Sequence, residues 1–175
     1  MKKIILIIIL ALVISVSAFA YHPSGWGVGV VGRFQIDWDN ALGWAWGPMF
    51  SLKAPQMPIY WGMNMSFRPN GFTVGLTGDY NIIDEPLIEN MGIGWYLGLG
   101  AYVSILRFNH PTSWTSIRLG ARFPVGFYMF PVNFLEVFLG LSPNLGVGIG
   151  FGNAPSPFNF PVVGLGFDMG IRFWL

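Results

Sequence analysis

The chain has 175 residues, of which 53% are apolar and none is cysteine, and its formal net charge is +1. This length predicts a single domain, and the near-zero charge gives no electrostatic basis for binding nucleic acid. Small exported domains usually depend on disulfides, so an exported chain of this composition needs another source of stability.

The N-terminus has the design of a secretory signal peptide. Lys2 and Lys3 provide the positive start, an apolar core of thirteen residues follows at 4–16, and an Ala-Phe-Ala cleavage site lies at 18–20. The apolar core is short for a membrane-spanning helix. We therefore expect a signal peptide over residues 1–20 and a mature domain over residues 21–175. Removing two of the nine basic residues leaves seven against eight acidic ones, a net charge near −1.

From residue 26 onwards, apolar residues alternate with small or polar ones, which is the pattern of strands with two different faces. Eight segments show it: 26–34, 44–52, 59–68, 72–80, 92–104, 116–127, 135–150 and 161–174. The clearest boundary is the Pro-Asn-Gly turn at 69–71, because Asn-Gly is the strongest short hairpin signal. Pro48 lacks an N–H for the ladder, which predicts a bulge in the second strand or a short strand.

The seventh segment decides the strand count. Residues 142–144, Ser-Pro-Asn, have the composition of a turn, and a division there would give nine strands. The alternation continues through Pro143 as far as Phe151, and bacterial single-chain barrels have an even number of strands. We therefore predict eight strands, with ten as the alternative.

The last segment, 161–175, is the most regular strand. Seven apolar residues alternate with three glycines and three larger residues, over about the length that a tilted strand needs to cross a bilayer, roughly 9–11 residues. Helices are a poor alternative, because the charge-free run 137–167 contains four prolines and seven glycines. The sequence predicts an all-β fold, a closed antiparallel transmembrane β-barrel, in which every backbone group finds a partner without disulfides.

Two stretches resemble a known family. Residues 117–126, IRLGARFPVG, and 134–138, FLEVF, resemble small outer-membrane barrels of spirochaetes, whose architecture is similar to OmpX, OmpW and the membrane domain of OmpA. The aromatic C-terminus also resembles the last strand of such barrels, although Leu175 stands where that family usually has Phe. The resemblance implies a surface-exposed barrel of a bacterial outer membrane without a settled activity. It also implies that the barrel-assembly machinery reads an insertion signal made of Ile171, Phe173, Trp174 and Leu175.

Charged residues fall on the inward face of the predicted strands, where charges of membrane strands are usually paired. The last three strands carry a predicted lumen network of Arg118, Arg122, Glu136, Asp168 and Arg172. Their spacing along the strands predicts contacts of Glu136 with Arg172 and of Arg122 with Asp168. These would form a charged plug in an eight-stranded barrel too narrow for a channel. The alternative is a narrow solute path beside the many lumen glycines.

Aromatic residues predict where the membrane surfaces lie. The membrane-interface residues, in contact with outer-membrane lipid, are expected to be Trp44, Trp46, Trp61, Tyr80 and Trp95. With both termini in the periplasm, the expected extracellular connections are 35–43, 69–71, 105–115 and 151–160. The expected periplasmic turns are 53–58, 81–91 and 128–134.

No motif predicts catalysis. The GxGxxG pattern at 27–32 is not followed by a helix, so it does not indicate a dinucleotide site. His22 and His110 lie at the terminus and in a loop, off the predicted lumen positions, which predicts no metal site and no cofactor. We expect a monomeric, non-enzymatic surface protein whose outer loops bind an extracellular protein or other macromolecule, or which supports the envelope. The alternative is a small pore or carrier for a small or hydrophobic solute.

Overall fold

The computed structural model describes residues 22–38, 43–109 and 113–175. The predicted signal peptide, part of the first outer loop and His110 lie outside the described residues. No helix in the described ranges is long and apolar enough to cross a membrane.

The described chain forms one antiparallel sheet that closes on itself. Its strands are β1 Gly27–Asp37, β2 Gly43–Lys53, β3 Ile59–Arg68, β4 Gly71–Ile88, β5 Ile93–Phe108, β6 Trp114–Arg122, β7 Val125–Val132, β8 Leu135–Gly152 and β9 Phe158–Trp174. A short 3₁₀ helix, Glu89–Met91, joins β4 to β5. The first and last strands, β1 and β9, pair along the whole length of β1 and close the ring.

Strands β6 and β7 together fill one position of the ring, since both pair with β5 on one side and with β8 on the other. Only Phe123 and Pro124 separate them. Backbone hydrogen bonds to both neighbouring strands continue at these two residues: Phe123 N donates to Pro143 O at 2.9 Å, and Gly98 N donates to Pro124 O at 2.7 Å. The barrel therefore has eight strand positions, as predicted. The interruption lies at Pro124 rather than at Pro143, where β8 is continuous, and the ten-strand alternative is wrong.

The ladder registers define the stagger of the strands. A path through paired residues starts at Gly27 on β1 and returns to the same strand at Asp37. Its intermediate residues are Lys53, Tyr60, Asp79, Gly100, Arg122, Asn144 and Gly164. The return point lies ten residues beyond the start, which is the shear of the barrel. With a rise of about 3.3 Å per residue and a strand spacing of about 4.8 Å, eight strands with this shear are tilted by about 40°.

Two strands extend further than predicted towards the end of the barrel that holds the first and last described residues, His22 and Leu175, which we call the inner end. Residues 81–88 belong to β4, although 81–91 was predicted as a connection, and β7 occupies part of the predicted turn 128–134. Register shifts at Asn81 and at Pro86 absorb the breaks in the alternation of β4. The first residue of β3, Ile59, pairs with Tyr80, so β3 does not reach residues 81–88. This part of β4 therefore has only β5 as a ladder partner, and a proline is tolerated at such an edge.

The prediction of a bulge or a shortened strand at Pro48 is wrong. Strand β2 spans 11 residues, and its pairing with β3 passes from Trp46↔Phe67 to Met49↔Asn64 in one register. The ladder to β3 has no pairs at Gly47 and Pro48, so the missing proline N–H leaves a local gap without a shift of register.

Polar and apolar side chains are distributed as in a membrane barrel, with apolar groups outside and charges inside. Outward residues such as Val30, Leu119 and Met169 are more than half exposed, whereas arginines and carboxylates on alternate positions are buried. A small apolar core inside the lumen consists of Val31, Met49, Tyr128 and Phe138, with Tyr96 and Phe130 packed against it.

Candidate functional site: the charged lumen

The buried charges form three groups along the lumen, defined here by the carboxylates they share. The outer group contains Asp37, Arg68 and Arg118. The middle group contains Arg33, Asp79, Arg122 and Asp168. The inner group contains His22, Asp84, Glu136 and Arg172.

In the outer group, one carboxylate serves two arginines. Asp37 is 1% exposed and accepts hydrogen bonds from Arg68 and from Arg118 Nη1, the latter at 3.1 Å. Gln35 Nε2 donates to its other oxygen at 2.7 Å. Asp37 is predicted from the sequence to lie in an extracellular loop, which is wrong because β1 continues to this residue. The alternation that runs from Arg33 through Gln35 to Asp37 is the signal that identifies it as a lumen residue.

The middle group is centred on Asp168. Arg33 binds it with two hydrogen bonds, Nε to Oδ1 at 2.7 Å and Nη2 to Oδ2 at 2.8 Å. Arg122 Nη2 donates to Asp168 Oδ2 at 3.0 Å, which is the contact expected from the sequence, and also to Ser142 Oγ at 2.6 Å. Arg122 Nε lies 3.3 Å from Asp79 Oδ1. Two arginines and two aspartates thus neutralise each other at the centre of the barrel.

In the inner group, Glu136 and Arg172 are direct cross-strand partners on β8 and β9. Arg172 Nη1 lies 2.7 and 2.8 Å from the two carboxylate oxygens, again the contact expected from the sequence. Trp174 Nε1 donates to Glu136 Oε2 at 2.8 Å. The Arg172 guanidinium carbon lies 4.7 Å from the Phe138 ring centre and 4.8 Å from that of Tyr60, so cation–π contacts also hold it.

His22 was predicted to lie away from the lumen, and the structure corrects this. The segment before β1 enters the inner end of the barrel, and the His22 ring is buried among side chains of the wall. Its Nδ1 lies 2.5 Å from Asp84 Oδ2 and its Nε2 lies 3.4 Å from Glu136 Oε1. No sequence signal predicts this position, because His22 lies outside the strand whose alternation identifies lumen residues.

Tyrosines fill the space that the lumen glycines leave. A methyl group added at Gly140 would overlap the Tyr96 hydroxyl, and one added at Gly126 would lie 2.7 Å from the same oxygen. Tyr102 lies in the same way over Gly120 and Gly146, 2.8 and 2.6 Å from the added carbons. The glycines therefore provide room for aromatic side chains rather than an open path.

Two cavities lie between the three charged groups. One, of about 40 Å³, is lined by residues of the outer and middle groups, and the other, of about 50 Å³, by residues of the middle and inner groups. Arg122 and Ser142 line both. Since one water needs roughly 10–15 Å³ of such space, each cavity has room for only a few waters.

The predicted interface aromatics all lie on the outward face. Trp44 and Trp46, at the outer end of β2, are 47% and 56% exposed, and Trp61, Tyr80 and Trp95 are partly exposed. The four residues of the predicted insertion signal divide between the two faces. Side chains of Ile171, Phe173 and Leu175 point outward, whereas Trp174 is 5% exposed and lies in the lumen.

Metal binding has no geometric support in the described residues, which contain no group of three or more His, Asp or Glu side chains that could hold an ion. Asp84 and Glu136 approach opposite nitrogens of His22, so the three side chains do not converge on one point.

Comparison with known proteins identifies a fold. No protein-family model and no curated protein sequence matches the chain. The structure is similar to the crystal structure of Neisserial surface protein A (NspA), with a TM-score of 0.60 and 12% identity over 86% of this chain and 97% of that chain. It is also similar to the N-terminal β-barrel domain of Pseudomonas aeruginosa OprF, with a TM-score of 0.47 and 11% identity over 82% and 96% of the two chains. The likeness to NspA shows that this chain has the fold of an eight-stranded outer-membrane β-barrel.

Proposed function

We propose that this chain is a non-enzymatic protein of a bacterial outer membrane that acts through the surface it presents outside the cell, not through its lumen. The observation that supports this most directly is the closure of the lumen by three successive groups of ion pairs. The predicted signal peptide at 1–20, the outward apolar face and the fold of NspA are consistent with this location. The spirochaete type of the family stays a prediction.

The lumen opposes solute passage for an energetic reason. An ion moving through it would have to separate pairs such as Arg33–Asp168 and Glu136–Arg172, and breaking a buried pair typically costs about 3–5 kcal/mol. The two cavities between the groups have room for only a few waters each. Neither offers the space that a small-solute carrier needs, so no specific observation favours the pore alternative.

The hairpin of β8 and β9 supports an outward contact surface. Strand β1 ends opposite Gly164, whereas β9 begins six residues earlier, so β9 continues beyond the end of β1 while β8 stays paired with β6 as far as Gly152. Three of its phenylalanines, Phe151, Phe158 and Phe160, are 49%, 59% and 67% exposed. Exposed apolar groups clustered at the outer end of this hairpin favour a contact surface for a macromolecule there.

Two measurements test the proposal. Purified barrel in a planar bilayer should give no discrete conductance steps, whereas a known porin under the same conditions should. Stable steps from the unmodified protein would contradict the closed lumen.

Cells that display the protein should bind extracellular macromolecules more than cells carrying Phe158→Ser with Phe160→Ser, provided both barrels reach the surface in equal amounts. Equal binding by the two cell types would show that the hairpin is not the contact surface.

A further inference from the structure

The inner mouth of the barrel is a cage that contains one side chain of the chain's own N-terminal segment. Backbone hydrogen bonds hold this segment beside the end of β9: Trp26 N donates to Leu175 O at 3.0 Å, and Leu175 N donates to Trp26 O at 2.8 Å. His22, four residues earlier, reaches into the lumen and is 7% exposed. The segment thus forms a plug, which we call the His22 plug, over residues 22–26.

The polar walls of the cage require a doubly protonated ring. Carboxylate oxygens of Asp84 and Glu136 face the two ring nitrogens at 2.5 and 3.4 Å. A neutral imidazole has one N–H donor and one lone pair, whereas the imidazolium has two donors. A neutral ring would therefore direct its lone pair at a carboxylate. The other oxygen of each carboxylate also accepts a hydrogen bond, since Tyr128 Oη donates to Asp84 Oδ1 at 2.9 Å and Trp174 Nε1 donates to Glu136 Oε2 at 2.8 Å.

The charge balance of the cage agrees with this. Glu136 on β8 and Asp84 on β4 contribute two negative charges, and Arg172 on β9 contributes one positive charge. A charged His22 makes the inner group neutral. Lys53 on β2, which lies 5.7 Å from the Tyr60 ring centre, is partly exposed at the rim.

Aromatic rings complete the cage. The ring centre of His22 lies 4.2 Å from that of Tyr128, 5.5 Å from Trp174, 5.7 Å from Phe130 and 5.8 Å from Tyr60. Aromatic faces attract a cation within about 6 Å of the ring centre. A flat cation with donors at opposite edges fits both the carboxylates and the rings.

We propose that the inner mouth is a binding site for a cation of the imidazolium class and that the His22 side chain occupies this site in the folded barrel. The plug stays in the barrel only while the His22 ring is charged. Burial opposes the charge, but the hydrogen bonds and the negative charges of Asp84 and Glu136 outweigh it, so the pKa of His22 lies above its ordinary 6.5. The folded-state pKa is raised, so the stabilisation is complete below pH 6.5 and is lost as pH rises through the folded-state pKa.

A spin label tests the release directly, because the chain contains no native cysteine. Ser24→Cys carries the label on an exposed position of the plug. In the full barrel in lipid vesicles, its spectrum should show slow motion at pH 6 and fast motion at high pH, with a midpoint above 6.5. Asp84→Asn should move that midpoint downward. A spectrum that does not change with pH, or the same midpoint in Asp84→Asn, would overturn the proposal.

Chemical rescue tests the ligand class. His22→Ala should lower the urea midpoint of unfolding at pH 6, and free imidazole should restore it at pH 6 but much less at a pH where imidazole is neutral. Combining His22→Ala with Asp84→Asn should abolish most of the rescue, and His110→Ala is the matched control for loss of a histidine. If imidazole gives equal rescue in its charged and neutral forms, or none, the cage does not select an imidazolium cation.

Discussion

Arg33 on β1 and Asp168 on β9 are direct partners across the seam that closes the barrel, joined by hydrogen bonds of 2.7 and 2.8 Å. These strands lie at opposite ends of the described chain, 135 residues apart at this pair. The pair can therefore form only when the sheet has closed. The same carboxylate also accepts a hydrogen bond from Arg122, so closure connects the first, sixth and last strands through one buried charge.

We predict that Asp168→Asn is the most destabilising conservative change in the middle group, because it leaves two buried guanidinium groups without their carboxylate. Loss of one partner of a buried pair costs about 3–5 kcal/mol, and lumen water and Asp79 reduce this figure. The urea midpoint of unfolding in vesicles measures the loss. In the double variant Arg33→Gln with Asp168→Asn, the loss should be smaller than the sum of the two single losses.

Arg107 provides the control for these arginine and aspartate variants. It is exposed and donates to Thr115 at 2.9 Å, so Arg107→Gln should leave the urea midpoint nearly unchanged. Additive losses at Arg33 and Asp168 would show that the seam pair contributes no coupling energy.

A second prediction concerns the tyrosines that fill the lumen. Gly140→Ala should destabilise the barrel by about 1–3 kcal/mol, as overpacking of a filled interior does, because the new methyl group overlaps the Tyr96 hydroxyl. Adding Tyr96→Phe removes the overlapping oxygen and should recover part of the loss. Thermal unfolding monitored by circular dichroism is a suitable measurement.

Gly166→Ala is the matched control for this overpacking. It is also a buried lumen glycine, but the nearest atoms to its added carbon, in Ser142, lie at 3.6 Å, an ordinary contact distance. The two alanine variants should therefore differ clearly. Equal losses would mean that the cost arises from the strand backbone and not from the tyrosine.

The physical basis of the alternation explains which features the sequence could predict. A residue's parity determines its side of the sheet, so Arg122, Glu136, Asp168 and Arg172 were identified as lumen residues without any knowledge of the ladder. The segment after Asn81 is acidic and contains Pro86, which is typical of a connection, and the bulges there interrupt the parity that would identify it as the inner half of β4. It gives no information outside strands, so the burial of His22 could not be predicted.

A third prediction tests which end of the barrel faces outward. An epitope tag inserted after Pro155, in the connection between β8 and β9, should be accessible to antibody on intact cells. A tag after Gln56, in the exposed connection between β2 and β3 at the inner end, should be accessible only after the outer membrane is permeabilised. The opposite result would invert the topology and place the His22 plug at the cell surface.

A fourth prediction concerns the closing strand. Residues 169–175 pair with both β1 and β8, and their removal leaves two open strand edges in lipid, where unpaired backbone groups cost several kcal/mol each. Deletion of these residues should abolish heat-modifiable migration in gels and leave aggregated protein. Protease-resistant insertion of the truncated chain would show that another strand closes the ring.

Leu175→Phe separates the role of the last side chain in assembly from its role in the finished barrel. Leu175 is 83% exposed and points outward, and its backbone, not its side chain, pairs with Trp26. A phenylalanine therefore fits without repacking and should leave the urea midpoint unchanged. If the assembly machinery reads the last strand, as the resemblance to outer-membrane barrels implies, the terminal Phe usual in those barrels should increase the rate of insertion, measured by pulse-chase appearance of the folded band. A faster rate with an unchanged midpoint would place Leu175 in the insertion signal, whereas an unchanged rate would remove it from that signal.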